Sequence, residues 1–191
     1  MSKFALDISI ASLAFAMLSA IWSIYIDSFV NSMVIVGIIG AVLSICSVIS
    51  YFVFISLAKR SDKGKLYFYS VLIVLLSYVF FAITRNFYVF MILALIFTAA
   101  MALRVMSFGL LVKDNSCRKK LSKNEGIIFT LMNMAYVIGP LLAALVADRF
   151  GINSVFALGA VFLLISLLWF KFLGIHDGNV DKSDDRGVLK N

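Results

Sequence analysis

Six long apolar stretches fill residues 4–172 and leave too little chain for a seventh, so the solvent that shaped this sequence is lipid. Hydrophobic residues make up 63% of the 191 and charged ones 14%, against about 25% charged in a soluble domain. No aqueous fold of this length hides so much apolar surface. The stretches are read as spans at 4–27, 33–57, 66–84, 87–112, 126–147 and 153–173, each long enough as a helix to cross roughly 30 Å of hydrocarbon. Their apolar runs lack the two-residue alternation of a membrane barrel, and lipid tolerates no other open backbone. An all-α membrane domain over 1–173 follows. The polar tail 174–191 carries too few apolar residues to pack and is expected to be disordered. The first stretch, Phe4 to Ile26, is too long for a signal-peptide core and is expected to remain as a transmembrane helix.

An even number of spans returns the end of the chain to the side where it began, and the basic residues say which side that is. Fourteen of the 17 Lys and Arg residues fall on one side, Arg85 and Arg149 on the other, and Arg104 inside a span. The rich side is cytoplasmic by the positive-inside rule, in a cell (plasma) membrane. The net charge of +7 therefore reads as topology, with contact to anionic lipid headgroups, and not as a nucleic-acid surface, since no base-stacking aromatics accompany it.

Cys46 lies in a span and Cys117 in a basic loop, a spacing that offers neither a disulfide framework nor a metal site. His176 sits in the tail as a solvated residue. With no His or acid cluster in the spans and no nucleophile elbow, the sequence points to no enzyme, no metal and no cofactor.

Two segments echo each other. Ser56-Leu57-Ala58-Lys59-Arg60 closes the second span and Leu145-Val146-Ala147-Asp148-Arg149 the fifth, at opposite membrane faces. Such an echo divides the chain into two inverted three-helix units, 4–84 and 87–173, an architecture recurrent in transporters. More specific is Asn133-Met134-Ala135-Tyr136-Val137-Ile138-Gly139-Pro140-Leu141-Leu142, followed by Ala147-Asp148-Arg149-Phe150-Gly151. It resembles the Gly-Pro helix of the major facilitator superfamily, at its fifth or eleventh position. The loop Ile55-Ser56-Leu57-Ala58-Lys59-Arg60-Ser61-Asp62-Lys63-Gly64-Lys65 resembles that family's signature between spans two and three. Arg60 and the basic ending fit it, the acid position holds Lys59, and Asp62 either replaces that acid or is a solvated turn residue. Arg104 followed by Gly109 is similar to the span-four signature in kind, one residue out of register.

The resemblance implies a six-transmembrane-helix bundle of two inverted three-helix repeats, half of a major facilitator fold. It implies a half-size secondary transporter that moves a small solute by alternating access, with a homodimer supplying the second half and the cavity on the dimer axis. Another class of reading is a membrane-embedded substrate-binding subunit of a larger transporter. A third is a non-transporting structural or regulatory remnant, or a fragment of a twelve-helix protein.

The candidate pathway or gate residues are Arg104, Asp7, Asp27, Ser19, Ser23, Asn133 and Tyr136. Arg104 lies about 6 to 8 Å cytoplasmic of the midplane, where a charge is costly unless it serves a cavity or snorkels towards headgroups. Asp7, near the same level, either pairs with Arg104 as an inner gate or favours the positive start of its helix. Ser12, Ala16, Ser19, Ser23 and Asp27 share one helical face, which suits an aqueous path or a close helix contact equally. Asp7 and Asp27 permit a coupling proton. Trp22 and Tyr25 read as interfacial belt residues, and Gly37, Gly40, Ser44 and Ser47 as packing. Asn133 is a polar contact or an interhelical hydrogen bond, and Gly139 with Pro140 forms a conformational hinge where the missing amide weakens the helix.

Overall fold

The computed structural model describes residues 2–114 and 121–173; Cys117, His176 and the tail 174–191 lie outside them. Among the described residues the chain forms six helices: α1 (Ser2–Val30), α2 (Met33–Arg60), α3 (Lys63–Ile83), α4 (Phe87–Asp114), α5 (Leu121–Phe150) and α6 (Ile152–Leu173). Each holds a span long and apolar enough to cross a membrane. The shortest, α3 with 21 residues, is about 32 Å long. The helices outrun the expected spans mainly at the ends that carry the basic loops, where α4 and α5 continue towards the long basic connection.

The outer turns are as tight as their sequence requires. α1 ends at Asn31, whose φ of 48° is left-handed, a region that asparagine tolerates among non-glycine residues, and its amide donates to the Asp27 carbonyl at 2.8 Å. α5 ends at Gly151, φ 85°, with its amide on the Ala147 carbonyl at 2.9 Å. On the inner side Asp62 starts α3: its carboxylate accepts from the Lys65 amide at 3.1 Å and pairs with the Lys65 ammonium at 3.7 Å. This is helix capping, and it is what Asp62 does here. The Arg60 side chain lies outside the described part.

The packing pattern has a symmetry of its own. α1 packs on α5 and α6, α4 on α2 and α3, and α3 on α6, with slighter contacts of α1 with α2, α4 with α5, α2 with α3 and α5 with α6. Exchanging α1–α3 for α4–α6 maps every one of these contacts onto another in the set, except α3–α6, which maps onto itself. Helices three apart run in opposite directions, so the two units are inverted copies. α1, α3, α4 and α6 make the middle of the bundle, while α2 and α5 flank it. The flanking helices bury only 22% of their apolar windows, against 56% for α1.

The outer half of the bundle is filled by rings. Trp22 packs at 5.5 Å from Phe81, 5.9 Å from Phe90 and 5.7 Å from Phe97. Tyr25 lies 4.5 Å from Phe156 and donates its hydroxyl to the Phe81 carbonyl at 2.7 Å. The expected membrane belt at Trp22 and Tyr25 is thus corrected. Tyr25 is 2% exposed, because rings from α3, α4 and α6 meet there and a buried hydroxyl needs a partner that the carbonyl supplies.

Small residues also depart from expectation. Gly37, Gly40 and Ser44 on α2 do not pack within this chain; Gly37 and Ser44 are exposed, and a methyl added at Gly37 or Gly40 would touch nothing within 4 Å. Gly139 is the opposite case: a Cβ there would overlap the Ala16 methyl and lie 3.1 Å from the Ala16 carbonyl carbon and the Met17 nitrogen. α1 and α5 cross backbone to backbone at this point.

Candidate functional site

Below the ring-filled half, towards the start of α1 and the end of α4, the bundle interior turns polar. Arg104 projects from α4 so that its guanidinium carbon sits 3.9 Å from the centre of the Phe15 ring on α1. That stacking is worth most in a desolvated setting such as this. The residue is 8% exposed. The arginine has therefore turned inward among the helices, away from the headgroup layer. Tyr67 and Tyr78 on α3 and Tyr136 on α5 stand within its electrostatic reach.

Asp7 is completely buried, and its Oδ1 accepts from the Ser166 hydroxyl on α6 at 2.7 Å. The expected direct pairing of Asp7 with Arg104 is not formed: no ion pair within 4.0 Å joins them. The reason is geometric. Asp7 is turned towards α6, where Ser166 holds it, whereas Arg104 stacks on Phe15, eight positions further along α1. Tyr67, fully buried, lies within electrostatic reach of both charges.

Among the described residues, four buried polar atoms in this half make no hydrogen bond of good geometry: Asp7 Oδ2, Ser12 Oγ, Tyr67 Oη and Arg104 Nε. In a medium of low dielectric each such atom costs about 1–3 kcal/mol. A fold that retains them in one half of the bundle is keeping hydrogen-bonding capacity there. Replacing Ser166 by Ala removes the one donor to Asp7, so Ser166→Ala should lower stability by about 1–3 kcal/mol. Unfolding in lipid-detergent mixtures measures it, and an unchanged midpoint would show that the bond carries nothing.

The remaining predicted positions divide between the inside and the exposed surface of the bundle. On α1, Ser12 and Ala16 are buried, Ala16 against Gly139, whereas Ser19 and Ser23 are exposed and Asp27 is half-buried at the outer end. The stripe is therefore helix contact over its inner half and open over its outer half. Ser19 returns its hydroxyl to the Ala16 carbonyl at 2.8 Å. Asn133 and Tyr136 are exposed on one side of α5, next to the face that grips α1. Pro140 lies inside the continuous helix α5. At the outer ends of α1, α3 and α6 an open recess of about 210 Å³ is lined by Tyr25, Ser28, Phe29, Thr84, Arg85 and Asn153, far from Arg104.

Sequence reasoning missed Phe15, Tyr67 and Ser166. The only signal at Tyr67 and Ser166 is a hydroxyl in an otherwise apolar run, and nothing marks Phe15 among 18 phenylalanines.

The family model described as Major Facilitator Superfamily matches residues 6–188. No curated protein matches the chain significantly.

Proposed function

The chain belongs to the major facilitator superfamily as a six-helix unit of its fold, and from this premise we propose that two copies form one transporter. It is a multi-pass membrane protein of the major facilitator transporter type. The finer reading is a C2 homodimer with its axis along the membrane normal, a shared cavity on that axis, and alternating access of a small solute to the two sides.

The observation that carries this reading is the polar front of the bundle. Ser19, Ser23, Asn133 and Tyr136 are exposed near mid-span on helices that cross hydrocarbon. An amide facing lipid tails there has no hydrogen-bond partner and is expensive. A surface of this kind needs water or another protein against it, and a second copy supplies both a cover and a cavity. The uncovered glycines and serine of α2 are what helix association in lipid uses, since small residues let backbones approach. The basic inner loops put the start of α1 and the end of α6 on the cytoplasmic side. Gly139 and Pro140 act as the pivot of α5 on α1, and Asp7 and Asp27 are the acids available to a coupling proton.

In lipid nanodiscs the particle should contain twice the 21.2 kDa chain mass, and vesicles bearing it should show solute counterflow. A strict monomer at every protein-to-lipid ratio sinks the dimer.

A further inference from the structure

The spans carry two charged side chains deep in the described bundle, Arg104 and Asp7, and they differ in what they can reach. Asp7 is 0% exposed and bonded to Ser166; Arg104 keeps 8% of its surface open. Asp27 is half-buried at the outer end of α1, well away in level. Of the two deep charges, the less completely covered one is positive.

How that cation is held matters more than its sign. Phe15 covers a face of the guanidinium plane at 3.9 Å, Nε has no partner, and no carboxylate lies within 4.0 Å. Stacking on a ring occupies the guanidinium face and not its in-plane edge, and that edge is the fork of N–H donors that matches a carboxylate or phosphate with two parallel hydrogen bonds. Within its electrostatic reach stand two further hydroxyls, that of buried Tyr67 and that of Tyr136, a residue exposed on α5. A guanidinium in hydrocarbon surroundings without a counter-ion is costly. An anion reaching it recovers much of that cost and gains charge-assisted hydrogen bonds.

We propose that the solute handled by this protein is a small anion bearing a carboxylate or phosphate group, and that Arg104 binds it edge-on with its plane fixed by Phe15. This rests on the transporter reading above and names the substrate class of the same site. A cationic solute would meet Arg104 without an accessible acid beside it, and a neutral one would leave the fork unfilled.

The test uses the full chain in proteoliposomes, with labelled succinate, benzoate and inorganic phosphate as anions, glucose as a neutral probe and tetraphenylphosphonium as a cation. Uptake of one or more of the anions is expected. It should fall about 10- to 100-fold in Arg104→Gln, the range of one charge-assisted contact, and less in Arg104→Lys, which keeps the charge and loses the fork. The same anions should raise the unfolding temperature of the wild type and not of Arg104→Gln, a reading of the site that does not depend on flux. Flux confined to glucose or tetraphenylphosphonium, or anion flux indifferent to Arg104→Gln, overturns the anion class and leaves the transporter standing. Arg104-dependent stabilisation with no flux of any probe overturns the transporter and leaves the anion site. Neither stabilisation nor anion flux from the folded protein overturns the inference.

Discussion

Gly139→Val is expected to break the contact on which α5 rides. A Cβ at 139 falls on the Ala16 methyl and within 3.1 Å of two backbone atoms of α1, so no rotamer change relieves it and the helices must separate. Overpacking of this kind costs about 1–3 kcal/mol where side chains can give way, and here backbone stands in the way. The loss is amplified by the setting. Helices in lipid gain little from burying apolar area against one another, and close approach of small residues supplies much of their attraction. The α1–α5 pair is the most extensive contact in the bundle. The sharper form of the experiment is a double-mutant cycle: Gly139→Ala should lose stability alone, and Ala16→Gly in the same chain should restore most of it, because the overlapping methyl is gone. An unfolding midpoint for Gly139→Val equal to wild type would show that the crossing is not seated here.

That glycine also marks where reading the sequence stops. The Gly139-Pro140 pair is visible as a weak point in α5, since proline withholds an amide and glycine withholds a side chain. Which helix exploits the missing side chain is not visible. Ala16 is 123 positions away, and only the path of the chain brings it there. The six spans are legible for a different reason: hydrocarbon thickness imposes a length and a composition on every one of them, independently of their neighbours. The inverted relation of the halves shows faintly in the echo around Arg60 and Arg149, and fully in the symmetric contacts of the helices.

The interior polar level was legible at its charges and not at its partners. Asp7 and Arg104 stand out because charges in spans are rare. Ser166, whose hydroxyl meets Asp7 across 159 positions, carries no periodic signal, and Tyr67 is one tyrosine of seven. The misreading of Trp22 and Tyr25 has the same origin. An aromatic near a helix end satisfies the pattern of an interfacial belt whether it faces headgroups or, as here, rings from three other helices.

Phe81→Ala should be the other severe substitution. Phe81 is 0% exposed and touches Trp22, Tyr25, Phe90, Phe97 and Phe156, with ring centres 5.5 to 6.1 Å away. In a soluble protein its loss would combine a transfer cost with a cavity cost. In a bilayer the transfer part largely cancels, because a side chain leaving the core enters lipid tails of similar polarity. What remains is the cavity: about 24 cal/mol for each Å³, over roughly 100 Å³ of lost ring, or about 2–3 kcal/mol. The Phe81 backbone carbonyl that accepts from Tyr25 survives the change, so that hydrogen bond should persist. Two Trp residues make the result readable. Trp22 borders the missing ring, while Trp169 lies tilted against Phe172 near the far end of α6, ring centres 6.3 Å apart. Emission from Trp22, followed with Trp169 replaced by Phe, should therefore shift and broaden in Phe81→Ala as its T-shaped contact is lost, together with a drop in unfolding midpoint. If both stay at their wild-type values, the outer half of the bundle is not held by these rings, and the division of the molecule into an aromatic outer half and a polar, partly unsatisfied inner half loses its physical basis.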